Sequence, residues 1–454
     1  MLKQVLPWSQ HISSLLTLAI PVCLSNMGNI FVDLTDNYFV GQLPERTEAQ
    51  AAISMAFAVY HFVLVLLIGT SYGLTPIVAA AVATGNKAHI GKHLQHALVI
   101  NLGISLVLFT VLALSSPLFH YANKPEAVID IAIRFLNVSI LSMIPLSVFF
   151  TFKQFAEGMS DTRTAMVISI SANLLNILLN WLLVFGNAGF PKLGVMGSCW
   201  ATFISRAAMA VAMFAYIRLS KRYRDYRLSL WPAQWNGSIV REQLKIGVPS
   251  GLMFAMEVAA FTMPAFFIPG TAELAAHRSA LLLASMTYLI SSGLSAAAAI
   301  RTGHFLGLAQ MRNVRRAGMS AVLVAVGVMS TAALCFIVFN HELPAIFNKN
   351  ADVIAAASTL LLIGAVFQLF DGIQVTAQGA LRGIKDTLVP GYIAFTAYWL
   401  VGLPLSYILC VPAGMGASGV WIGFVFGLMV SSGGFLWRFV KLTGKNKEVV
   451  LQPQ

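Results

Sequence analysis

What most constrains this chain is recurrence: apolar runs of roughly 20 residues follow one another along its whole length, each long enough to cross a hydrocarbon core of about 30 Å as a helix. Lipid offers backbone amides no partners, so a spanning segment must close its own hydrogen bonds, as helices and closed barrels do. The runs lack period-2 alternation, which argues against a barrel. The expected fold is therefore an all-α polytopic membrane protein. Composition agrees, since 58% of the 454 residues are hydrophobic and only 10% charged, far from the balance of a soluble domain. Read between charges, Pro and Gly, the runs give about twelve spans, centred near Met27, Val63, Leu106, Leu141, Leu174, Met209, Val258, Tyr288, Val326, Ala365, Tyr398 and Phe426.

The longest polar break, Arg218 to Lys245, separates two sets of about six spans. The expected organisation is a six-helix lobe over 1–222, a cytoplasmic linker over 223–240, a second six-helix lobe over 241–441 and a tail over 442–454. A formal charge of +12 would suit a nucleic-acid binder, but the basic residues cluster in short segments between apolar runs, as they do in cytoplasmic loops. Lys87, Lys92, Lys153, Arg163, Arg301, Arg312, Arg382 and Lys385 all follow even-numbered spans, which predicts a cytoplasmic N-terminus, linker and C-terminus. The first run is too long for a cleaved signal sequence. Cys23, Cys199, Cys335 and Cys410 fall in apolar runs without CxxC or Cys/His spacing, so neither disulfides nor a structural metal site is indicated.

The halves echo each other in order. "AAAVATG" from Ala79 matches "AAAIRTG" from Ala297, "EGMSDT" from Glu157 matches "RGIKDT" from Arg382, and "GVMGSCW" from Gly194 matches "GASGVW" from Gly416. An even number of spans per half makes these parallel repeats, related by an axis along the membrane normal, with the site at their interface near the midplane.

Most acids lie in loops or at span ends, but Asp33, Asp36, Glu257 and Asp371 stand deep in apolar runs. An ionised acid at the bilayer centre costs about 2.5 to 3.5 kcal/mol even on the lenient insertion scale, so such residues face a bundle interior or a wet cavity. At 100° per residue, Asn26, Asn29, Asp33 and Asn37 fall within about 80° of one another, with Asp36 just beyond the edge. Asn173, Asn176 and Asn180 make a second polar stripe, and Gln368, Asp371 and Gln378 share a face of the tenth span. Arg206 is read as the only basic residue inside a span, so two acidic walls without a fixed counter-cation point to a pathway for cations. A buried Asp can also be a neutral hydrogen-bond donor that fixes helix packing. That alternative stays open, above all for Asp33.

At this point the sequence resembles a known family. "PVCLSNMGNIFVDLTDNYFVGQL", "QFAEGMSDTRTAMVISISANLLNILLNWLLVFG", "ELAAHRSALLLASMTYLISSGLSAAAAIRTGHFLG" and "FQLFDGIQVTAQGALRGIKDT" are similar to the multidrug and toxic compound extrusion (MATE) transporters, in their NorM-like bacterial branch. The resemblance implies twelve helices in two lobes forming a V, in a bacterial inner (plasma) membrane, and export of bulky organic cations and drugs in exchange for Na⁺ or H⁺. It places the family's first-helix acid at Asp36, with Asp33 an extra acid outside the pattern. It assigns the cation site to Glu257 and Asp371, which would hold Na⁺ if the coupling is sodium-based. Some sodium-coupled members carry a tyrosine where this chain has Phe367, which keeps an aromatic face for a cation and removes a hydroxyl.

The expected activity is a secondary active antiporter, a monomer in the bilayer, needing no cofactor beyond its coupling ion. The main rival is a flippase of lipid-linked sugars, whose pyrophosphate calls for basic residues where this interior is acidic. An embedded enzyme would need a motif such as HExxH or GxSxG, and none is found.

Overall fold

The structure, a computed structural model, describes residues 5–43, 46–121, 124–226, 231–232 and 234–444; the side chains of Asn29, Ile30, Asp33, Arg46, Thr47, Glu48, Ala58 and Ala88 lie outside the description. Two predicted site residues, Asn29 and Asp33, are among these. The described residues form α-helices, short 3₁₀ turns and one π-helical turn, with no strand. In order they are α1 (Trp8–Val40), α2 (Arg46–Ser71), α3 (Leu74–Thr84), α4 (Lys87–Ser115), α5 (Glu126–Leu141), α6 (Met143–Gly158), α7 (Thr162–Phe185), α8 (Val195–Leu219), α9 (Gly237–Thr262), α10 (Thr271–Gly307), α11 (Met311–Val338), α12 (Glu342–Ala345), α13 (Ala351–Gly383), α14 (Leu388–Phe395), α15 (Leu403–Cys410) and α16 (Gly416–Leu442). The pairs α2–α3, α5–α6 and α14–α15 each make one span, and among the described residues 12 stretches are long and apolar enough to cross a membrane. Every predicted centre falls inside one of them.

The chain forms two compact units, one of Leu24–Gly251 and the other of Met1–Cys23 with Leu252–Gln454. Neither boundary lies in the polar break; both lie within helices, α1 and α9. Each of these helices carries an internal proline, Pro21 or Pro249, two residues before its boundary. Proline removes one intrahelical hydrogen bond and crowds the preceding turn, so each helix is weakened at the point where it changes unit.

Small residues let the exchanged segments dock. In the unit Leu24–Gly251, a Cβ on Gly69 of α2 would come within 2.6 Å of the Gly251 Cα, and one on Gly73 within 2.8 Å of the Gly247 nitrogen. In the other unit, a Cβ on Gly293 of α10 would lie 2.8 Å from the Cys23 nitrogen. Only glycine permits such backbone approach. Hydrogen bonds complete the docking, since Gln243 Nε2 donates to the His93 carbonyl at 2.8 Å and the Asn236 amide to His96 Nε2 at 3.0 Å. These contacts attach the end of the polar break and the start of α9 to α4.

The repeated loop acids have matching tasks. Asp161 accepts from Tyr223 at 2.8 Å and from Tyr216 of α8 at 3.1 Å, while Asp386 accepts from Arg438 Nε of α16 at 2.8 Å. Burial, then the charge of Asp161, push the Tyr223 phenol well above its ordinary range, so it stays a donor.

One expectation is corrected. Lys153 belongs to no loop: it lies in α6 at 2% exposure, with Nζ donating to Asn26 Oδ1 at 3.1 Å and standing 3.8 Å from Glu157 Oε1. A buried ammonium persists only when paired, and Glu157, one turn on, supplies the charge. Arg301 and Arg382 also fall within candidate spans, in α10 and α13. Arg206 is thus not the only base inside a span.

Candidate functional site

Each unit gathers predicted site acids into a cluster. In the unit Leu24–Gly251, the second part of α1 runs beside α7 in the same direction: Ser25 meets Ser169 at 3.0 Å, and Asn180 Nδ2 donates to Asp36 Oδ1 at 2.8 Å, both at a separation of 144 residues. Between these contacts Gly28 lies against the Asn173 side chain. The orientation of α7 follows from its sequence. Its polar stripe turns inward, with Asn176 and Asn180 buried, and Leu174, Leu178 and Trp181 are exposed at 63%, 50% and 46% on the outside.

Asp36 is held at both oxygens. Thr202 of α8 donates to Oδ2 at 2.6 Å, Asn176 donates to Thr202 at 3.1 Å, and Asn180 reaches Asn176 Oδ1 at 3.2 Å. Asn180 Oδ1 remains a buried acceptor with no partner. The charge of Arg206, one turn beyond Thr202, reaches Asp36, while its Nη1 donates to Ser142 Oγ at 2.7 Å and to the Tyr60 hydroxyl. Carboxylate, amide and hydroxyl oxygens gathered in this way suit a proton or a small hard cation. Of the other predicted residues, Asn26 turns instead to Lys153, and Asn37 is exposed.

The second cluster lies in the unit that contains α10 to α16. Glu257 of α9 and Asp371 of α13 are 4% and 2% exposed and repel each other. Tyr398 donates to Glu257 Oε1 at 3.3 Å. Phe261, one turn after Glu257, packs on Phe367 and Tyr398 at 5.8 Å each and on Phe424 at 4.8 Å, and Phe367 meets Trp421 at 5.4 Å. Phe367, one turn before Asp371, therefore belongs to an aromatic wall. The phenol it lacks comes from elsewhere. Tyr398 lies on the π-helical turn Thr396–Gly402 between α14 and α15, and such single π turns break the helical register and recur at functional sites.

Along α13, Gln368 Oε1 accepts from Thr287 at 2.9 Å, and Gln378 Nε2 meets Met253 Sδ at 3.7 Å. Asp371 Oδ2, Gln368 Nε2 and both amide atoms of Gln374 are buried without a hydrogen-bond partner. Sequence reasoning missed Tyr398 and Gln374. The i, i+3 spacing of Asp371 and Gln374 was the available signal for the second, whereas a tyrosine in an apolar run carried none.

Known proteins share this fold. The family model MatE matches twice, over residues 21–182 and 249–408, in register with the two prolines. The multidrug resistance protein NorM of Photobacterium profundum is 32% identical over 425 residues, 92% of each chain. That of Vibrio vulnificus (strain YJ016) is 30% identical over 452 residues, 98% of each. Among solved structures, a MATE transporter in the bent conformation aligns with a TM-score of 0.87 at 20% identity, covering 98% of this chain and 100% of that one. A eukaryotic MATE transporter, AtDTX14, aligns at 0.86 and 20% identity, covering 97% and 98%.

Proposed function

Since the chain belongs to the MATE family of multidrug and toxic compound extrusion transporters, we propose that it is a secondary active antiporter that exports organic cations and drugs in exchange for Na⁺ or H⁺. It works at a bacterial inner membrane with both termini cytoplasmic, and it acts as a monomer. The coupling ion is taken by Glu257 and Asp371, and Asp36 takes a proton or the organic cation.

The observation that carries this division is the unequal provision for the acids. Asp36 receives hydrogen bonds at both oxygens from its own unit, whereas Asp371 has a buried oxygen without one, beside the like charge of Glu257. Two unneutralised carboxylates in a dry site are costly, so the second pair depends on a cation or proton that comes and goes. Loading that site favours one facing state and emptying it the other. Drug and ion then exchange without touching, because each needs only a different affinity for the two states. The wall of Phe261, Phe367, Phe424 and Trp421 would accept a flat, greasy cation by its faces.

The test is efflux of a fluorescent organic cation from loaded vesicles, with Na⁺ and pH gradients imposed separately. One of the two gradients is expected to drive efflux, and Asp371→Asn to abolish the driven component while the protein stays folded. Efflux driven by neither gradient would reject the antiporter, and full coupling in Asp371→Asn would reject the assigned site.

A further inference from the structure

Between Gln368 and Gln374, α13 carries four buried polar atoms without a hydrogen-bond partner: Gln368 Nε2, Asp371 Oδ2, Gln374 Nε2 and Gln374 Oε1. Their residues follow i, i+3, i+6 spacing and so cover about 120° of the helix. Gln368 and Gln374 are 0% exposed. A neighbouring helix adds a fifth such atom. α10 runs beside α13 in the same direction, because Thr287 bonds Gln368 and a Cβ on Gly379 would come within 2.7 Å of the Ser295 carbonyl carbon. Ser291, midway between Thr287 and Ser295, therefore stands at the height of Gln374, and its buried hydroxyl also lacks a partner.

An amide that served only to join helices would find its acceptor or donor on the neighbour, as Gln368 Oε1 does with Thr287. Gln374 finds neither. Native interiors leave few such groups unmet, and those they leave are met by water or an ion.

We infer that Gln374 is a ligand of the coupling ion, its Oε1 adding a neutral oxygen to the carboxylate of Asp371 for a small monovalent cation, Na⁺ or hydronium. This rests on the reading of Asp371 as the coupling-ion acid. A neutral oxygen tightens binding without adding a charge that the empty state would have to bear. Ser291 and the Gln368 amide, at either end of the group, hold the water that accompanies the ion.

The experiment measures the half-saturating concentration of the driving ion, Na⁺ or H⁺, for efflux by the full chain in proteoliposomes. Gln374→Met conserves volume and removes both polar atoms. It is expected to raise that concentration by at least about tenfold while the maximal rate is kept, a separation that a loss of packing would not give. An unchanged half-saturation overturns the inference. Gln374→Glu keeps an oxygen at the same reach and is expected to bind the ion at least as tightly; weaker binding by that variant, folded, overturns it as well. Asp371→Asn separates the two levels. Intact coupling there removes the underlying reading, whereas lost coupling there with unaltered half-saturation in Gln374→Met removes only the role of Gln374.

Discussion

At the scale of single residues, Asp36 shows how an acid is held inside an apolar bundle: Asn180 serves one oxygen and Thr202 the other, and Asn176 orients Thr202. A hydrogen bond to a charged group contributes about 1.5–3 kcal/mol, so Asn180→Leu is expected to slow drug efflux by roughly tenfold or more, read as initial rates in vesicles. Tyr398 and Phe367 make a paired prediction. Tyr398→Phe removes the phenol that donates to Glu257 and is expected to weaken coupling-ion affinity by about tenfold. Phe367→Tyr should change it little, because that phenol is already supplied. The buried Lys153 gives a third. Glu157→Leu alone leaves an ammonium with its counter-charge removed and is expected to cost about 3–5 kcal/mol, while Lys153→Met with Glu157→Leu costs far less; thermal unfolding in detergent distinguishes the two. These residues also show what a sequence discloses. Asp36, Glu257 and Asp371 were legible because a carboxylate in an apolar run is conspicuous on energetic grounds alone. Lys153 misleads by the same logic, because a charge ordinarily ends a span and here its partner lies one turn away on the same helix. Tyr398 and Gln374 gave no comparable signal, because phenols and amides are common in transmembrane packing.

Among the elements, α1 and α9 are the unusual pair. Each belongs to both units, each is interrupted by a proline, and each docks its transferred part through glycine. Filling that contact should be punished. Gly251→Val places its Cβ against Thr70, whose Cγ2 lies 2.7 Å from the ideal position, and overpacking of this kind costs about 1–3 kcal/mol. The expected result is a lower melting temperature for the purified protein. Gly433→Ala on α16 is the control, because nothing lies within 4 Å of its added Cβ and the helix gains about 0.8–1 kcal/mol of intrinsic preference. A Gly251→Val protein as stable as the Gly433→Ala protein would contradict the tight α2–α9 contact. The helices themselves were readable from run length and the repeats from short motifs. The reassignment of their ends was not, because close docking depends on which small residues meet in space, and Gly69 and Gly251 look ordinary in sequence.

For the whole molecule, the doubled family match and the paired prolines describe two versions of one six-span plan, each with its acid cluster. Their chemistry has diverged. One cluster is built of amides and a threonine, and the other of two acids, a phenol and an aromatic wall. A transporter that must answer to two unlike cations is well served by unlike halves. The exchange of helix ends also bears on how the protein is made. The Leu6 amide bonds Asn313, 307 positions later, and the Leu6 carbonyl accepts from Arg316. A ribosome adding about 5–20 residues per second delivers that partner roughly 15–60 s after Leu6 itself. Throughout that interval the earliest-made segment of the chain is without these final neighbours, which are still untranslated. Biogenesis of this transporter therefore ends with what was synthesised first, and a ribosome that stalls after the sixth span leaves a chain in which neither unit can be finished.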